Sequence, residues 1–134
     1  MLNEHEVRYL LVGGHAVGYH GHVRATADMD VWVAREPENR ARLVTVLERF
    51  GFASEDLDPE LFLEPDRIIR MGVPPIRIGI MTSISGVEFD NCYADRVEAE
   101  WDDLTVNIIS LPKMKANKKA SGRLKDLSDL EALD

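Results

Sequence analysis

Two aspartates one residue apart in an apolar run constrain this chain more than any other feature. Asp28-Met29-Asp30-Val31-Trp32-Val33 follows closely on a second apolar run, Leu10-Leu11-Val12, that breaks at Gly13-Gly14. In a strand, side chains alternate between faces, so Asp28 and Asp30 share one face while Met29, Val31 and Val33 can enter a core. Two like charges held that close repel unless a cation lies between them, and Mg²⁺, which prefers oxygen ligands, suits the pair. Gly13 and Gly14, between a strand and a helix start, leave backbone N–H groups open to an anion. Apart, each feature has an ordinary explanation, since paired glycines make tight turns and Asp-x-Asp is common on solvated strand edges. Together they describe a site for a magnesium-bound phosphate compound.

Composition narrows the class. With 134 residues, 45% of them hydrophobic, the chain suits one domain, 1–134, around a single core. No apolar run approaches the length of a membrane span, and the N-terminus lacks a basic segment followed by a hydrophobic one, so a cytoplasmic protein with no membrane partner is expected. Cys92 is the only cysteine, which excludes an internal disulfide and a cysteine-based zinc cluster and leaves a semi-buried small hydrophobe. A formal charge of −8 opposes a long nucleic-acid backbone over most of the surface. The charge is uneven, however: Lys113, Lys115, Lys118, Lys119, Arg123 and Lys125 form a basic segment with no acid among them. That polarity favours a phosphate-bearing ligand docked locally. His15 and His20 do not share a helical face, so loop or nucleotide contacts suit His20 and His22 better than metal ligation.

Periodicity and punctuation predict the elements in order. A strand over Val7 to Val12 leads to a short helix from Gly14 to His20, with Gly21 as its stop, and then to the aspartate strand, Asp28 to Val33. A scaffold helix runs from Pro37 to about Phe50, burying Leu43, Val44, Leu47 and Phe50 before Gly51. One helical turn at Pro59 to Phe62 precedes strands over Arg67 to Met71 and Ile76 to Met81, separated by Pro74-Pro75. A helix from Gly86 to Arg96 and strands over Val97 to Trp101 and Leu104 to Ile109 follow. Ser110 caps a last helix with Pro112 early in it, and the ordinary reading of the C-terminal stretch is a surface-charged helix hairpin, a terminal turn whose Leu127, Leu130 and Leu133 pack onto the sheet.

The phrase Tyr9-Leu10-Leu11-Val12-Gly13-Gly14-His15-Ala16-Val17, with His20-Gly21 and Arg24-x-Thr26-x-Asp28-x-Asp30, resembles the nucleotidyltransferase superfamily typified by DNA polymerase β. In particular it is similar to minimal members related to the toxin component of abortive-infection type IV toxin–antitoxin systems. The C-terminal phrase Lys118, Arg123-x-Lys125-Asp126 and Asp129-Leu130 extends the resemblance over nearly the whole chain. It implies an α/β (α+β) nucleotidyltransferase fold, a small mixed sheet with flanking helices. The implied reaction transfers a nucleoside monophosphate from a magnesium-bound NTP to a hydroxyl of RNA, such as a tRNA end, or of a protein. In it Asp28 and Asp30 hold Mg²⁺ at the reacting centre, Gly13 and Gly14 cradle phosphate, and Arg24, Thr26 and Lys118 contact the nucleotide. An antitoxin partner is also implied.

The chain departs from this pattern at one position. Where relatives carry a third carboxylate on a strand neighbouring the aspartates, the phrase here is Arg77-Ile78-Gly79-Ile80-Met81-Thr82, and Gly79 stands in the place of the acid. The third carboxylate ordinarily helps hold the ion that activates the acceptor hydroxyl. Nucleotide binding can therefore outlast turnover. Glu98 and Glu100 on the strand over Val97 to Trp101, and Glu88 and Asp90 in the helix before it, do not occupy the matching strand position; rescue by Glu98 or Glu100 is the substitution to test. A degenerate nucleotide- or partner-binding domain is the second reading, and a small-molecule modifier resembling aminoglycoside nucleotidyltransferases is a third.

Overall fold

The computed structural model describes residues 6–21, 28–49, 59–73, 76–101 and 104–122, together with 127, 130 and 131. Six strands form one sheet: β1 (Tyr9–Val12), β2 (Asp28–Val33), β3 (Ile68–Val73), β4 (Ile76–Met81), β5 (Val97–Trp101) and β6 (Leu104–Ile108). Their spatial order is β3-β4-β2-β1-β6-β5. The sheet is mixed: β1/β6 and β2/β4 are parallel, while β1/β2, β3/β4 and β5/β6 are antiparallel. Four helices, α1 (Gly13–Tyr19), α2 (Pro37–Arg49), α3 (Phe89–Ala94) and α4 (Leu111–Ser121), lie on the described chain.

Alternation along the central strands divides the core into two clusters. Tyr9, Val31, Val33 and Ile80 pack with Leu43, Val46 and Leu47 of α2 and with Phe62 of a 3₁₀ turn over Pro59–Leu63. Leu10, Val12 and Trp32 pack with Ala16 and Val17 of α1, Cys92 of α3 and Met114 of α4. The aspartate strand thus presents one face to α2 and the other to the remaining helices. Asp30 pairs across the sheet with Val12 and falls on the second face with Trp32. Asn39 fixes the start of α2: it is buried, accepts a hydrogen bond from the Arg8 N–H at 2.6 Å, and donates to the carbonyls of Arg8 and Ala34.

Most predicted elements are present, with shifts that have local causes. β2, β4 and β5 span the expected residues, and the scaffold helix starts at Pro37 and buries Val46 more deeply than Val44. Its expected end at Phe50 and Gly51 lies outside the described residues, as do Pro74, Pro75 and Leu133. Met29, expected to enter the core, is 40% exposed. The helix expected from Gly86 to Arg96 is only α3, because Gly86 adopts φ +78 and turns the chain where its bare Cα lies against Ala120 of α4. Leu104 and Leu127 are exposed. Leu127 therefore does not pack as the expected terminal turn required.

Helix α4 ends at Gly122, which adopts the left-handed conformation and donates its N–H to the Lys118 carbonyl. At its start the Ser110 hydroxyl accepts the Lys113 N–H at 3.4 Å. Ser110→Ala removes that cap and is expected to cost about 1 kcal/mol, read as a lower urea midpoint with an unchanged slope. An unchanged midpoint would mean that this long bond holds nothing.

Candidate active site

The register of three strands builds the centre of the site. Asp30 of β2 stands opposite Gly79 of β4, and Gly79 stands opposite Arg70 of β3. Two residue pairs along, Asp28 is in register with Arg77 and Arg77 with Gly72. Residues directly opposite one another project to the same face. Asp28, Asp30, Arg70 and Arg77 therefore belong to one face of the sheet, with Gly79 as a gap in its middle. The position expected to carry a third carboxylate does lie directly beside Asp30, and it carries no side chain.

The Asp30 carboxylate lies between two glycines. A Cβ built on Gly13 would stand 2.5 Å from Asp30 Oδ2, and one built on Gly79 would stand 2.7 Å from Asp30 Oδ1. Gly13 opens α1 directly after β1 at φ +70, so both its conformation and its closeness to Asp30 favour glycine. The paired-glycine turn and the aspartate strand, separated in sequence, meet at this carboxylate. Asp30 Oδ1 is shielded from solvent and accepts no hydrogen bond, although the residue has an interaction of its own elsewhere.

The remaining expected residues divide. Gly14 is the second residue of α1. Arg24, Thr26, His22, Arg123 and Lys125 lie outside the described residues. Lys118 does lie on α4, but it is only 4% exposed, so it is a buried cation and not the mobile surface charge its setting in a lysine-rich helix suggested. His20 makes a 2.8 Å hydrogen bond between Nε2 and the Ile109 carbonyl, a structural contact to the end of β6. Cys92 is fully buried in α3, deeper than expected, and burial pushes its thiol pKa up, which opposes a nucleophilic role.

Strand order removes the substitute acids. Glu98 and Glu100 sit on β5, at the far edge from β4, with β1 and β6 between β5 and β2. At about 4.8 Å per strand they lie roughly 14 Å from the aspartates. Glu98 instead forms an ion pair with Arg96 at 3.1 Å. Glu88 and Asp90 belong to the start of α3, where Asp90 pairs with Arg8. Among the described residues, no three His, Cys, Asp or Glu side chains gather as a metal site.

Asp28 and Asp30 share a strand face by the β2/β4 register, and the Asp30 carboxylate is an oxygen donor of the kind that Mg²⁺ takes. Arg70 was missed by sequence reasoning, yet the signal was present. Because Val73 pairs with Ile76, counting outward along the hairpin brings Arg70 to Gly79. A separate cleft of about 560 Å³ lies past the C-terminal end of β2, lined by Trp32, Ser83, Glu88, Phe89 and Lys113. Neither Asp30 nor Gly13 lines it.

No protein-family model and no curated protein matches this chain. Among solved structures, the chain is similar to one from Thermotoga maritima described as a "putative nucleotidyltransferase", with a TM-score of 0.63 over 98% of this chain and 83% of that one. The two sequences are 15% identical, so the likeness is one of fold. This chain accordingly has the nucleotidyltransferase fold, a mixed six-stranded sheet with helices on both faces and the Asp-x-Asp strand near its centre.

Proposed function

We propose that this chain binds a nucleoside triphosphate with one Mg²⁺ at Asp28 and Asp30, and that its reaction is slow transfer of the nucleoside monophosphate to a hydroxyl of an RNA, such as a tRNA end, or of a protein. The observation that carries this reading is the meeting of the Gly13 turn, Asp30 and Gly79 at one point of a nucleotidyltransferase fold. Asp28 and Asp30 would hold the ion, which supplies charge neutralisation on the phosphates when bound. Backbone N–H groups at Gly13 and Gly14 would take phosphate oxygens, and Arg24 and Thr26 would extend those contacts. Lys118, being buried, would contribute positive potential from α4, without swinging onto the ligand. With glycine at 79, no carboxylate in register with Asp30 accepts the acceptor's proton, and this is why transfer is slow.

Asp28→Asn and Asp30→Asn are each expected to weaken Mg²⁺-dependent ATP binding at least tenfold, read by calorimetric titration, and to abolish transfer of α-phosphate label into bulk tRNA or cell-extract protein. Unchanged Mg²⁺-dependent affinity in both variants would sink the assignment of the metal to this pair. The bare Cα at position 79 also supports a second reading, a nucleotide- or partner-binding domain without transfer, such as a subunit of a toxin–antitoxin-like pair. Nucleotide binding with no label transfer under any condition would select it.

A further inference from the structure

Gly79 does more than lack a carboxylate. Around the position its Cβ would occupy, Asp30 Oδ1 lies at 2.7 Å and Arg70 Nη1 at 3.6 Å, and the next neighbour is Asp30 Cγ at 3.8 Å. One strand, β4, lies between Arg70 and Asp30, so two strand spacings, about 10 Å, separate their backbones, and a long arginine crosses that distance only by lying over the residue between them. A bare Cα there leaves the path open. The missing acid and the arriving guanidinium are thus parts of a single arrangement.

We infer that Arg70, lying across Gly79, binds the phosphate chain of the ligand and takes the electrostatic place that a second divalent cation needs. The inference rests on the nucleotide-site reading above and specifies how that site is charged. A guanidinium held over Gly79, the residue in register with Asp30, repels a second divalent ion and offsets the carboxylate charge that would attract one. Arg77, in register with Asp28, places a second cation on the same face. Arg70 is exposed on the edge strand. A guanidinium has five N–H donors, so an interaction with one carboxylate oxygen leaves others for phosphate, and its planar fork suits two oxygens at once. The ligand class is a linear di- or triphosphate, free or carried by a nucleoside.

The test is equilibrium binding of inorganic tripolyphosphate and of ATP, each in EDTA and in Mg²⁺, to the natural chain, Arg70→Gln, Arg70→Lys and Asp30→Asn. Bound Mn²⁺ is counted by electron paramagnetic resonance in the presence of ATP. The expected result is tripolyphosphate binding by the natural chain in EDTA, weakened at least tenfold by Arg70→Gln and partly retained by Arg70→Lys, with one Mn²⁺ per chain. Arg70 is exposed, so the variants should unfold at the same urea concentration as the natural chain, and that measurement accompanies the titrations. Natural affinity of Arg70→Gln in EDTA, or two Mn²⁺ bound to the natural chain, would overturn the role of Arg70 while leaving the Asp28–Asp30 site standing. Absence of ATP binding under every condition would overturn both.

Discussion

Gly13→Ala is expected to lower stability by about 2–5 kcal/mol and to remove Mg²⁺-dependent nucleotide binding together. Two costs combine at this position. An L-residue at φ +70 pays roughly 1–2 kcal/mol for the left-handed backbone. The new methyl also falls 2.5 Å from Asp30 Oδ2, 3.0 Å from its Cβ and 3.1 Å from its Cγ, so rotating the carboxylate relieves only part of the overlap. The aspartate strand or the β1–α1 turn must yield, at about 1–3 kcal/mol for overpacking. Gly18→Ala is the matched comparison: it lies in the same helix with nothing within 4 Å of its Cβ, and alanine there should stabilise by about 0.5–1 kcal/mol. Urea unfolding of both variants, followed by ATP titration, checks the pair. Natural stability and affinity in Gly13→Ala would mean that Asp30 is not held against this turn.

This coupling explains which parts of the site were legible in the sequence. The glycine pair and the aspartate pair each announced themselves through residue types whose chemistry is local: a turn that tolerates positive φ, and a charge alternation within an apolar strand. Gly79 was visible because its strand matches a familiar phrase, and the register of β2 with β4 placed it beside Asp30 as that phrase implied. Arg70 was not visible from its own neighbourhood, since nothing in Ile68-Ile69-Arg70-Met71 distinguishes a functional arginine from a charged edge strand. It acquires meaning only through the pairing of β3 with β4. Glu98 and Glu100 show the complementary limit: strand alternation is local, whereas the order β2-β1-β6-β5 that carries them away from the aspartates is a property of the whole sheet. Lys118 is one of several lysines on α4, and only the packing of that helix reveals which of them is buried.

Gly79→Asp is expected to exchange one charge arrangement for another, and the exchange can be read in stability before any assay of transfer. The new Cβ falls 2.7 Å from Asp30 Oδ1, the far end of a side chain that can turn aside, so the steric cost is smaller than at Gly13. The charge is the larger disturbance. A third carboxylate joins Asp28 and Asp30 on one face and interposes itself between Asp30 and Arg70. In EDTA at neutral pH the variant should lose about 1–3 kcal/mol, since close like charges are destabilising and Arg70 can neutralise only one of them. Mg²⁺ should then restore stability more strongly than it affects the natural chain. At ten times its dissociation constant a bound ion contributes about 1.4 kcal/mol, a rise of roughly 3–5 °C in Tm. Gly79→Ala separates the two effects, because it adds the same Cβ without the charge and should show no metal-dependent recovery. If the three-carboxylate set is what transfer lacks, α-phosphate label should enter the acceptor faster in Gly79→Asp than in the natural chain and not in Gly79→Ala. Metal-dependent stabilisation without faster transfer would mean that the cleft lost more than one carboxylate, and the binding-domain reading would then lead. Equal transfer by the natural chain and Gly79→Asp would mean that two aspartates and an arginine suffice for the chemistry.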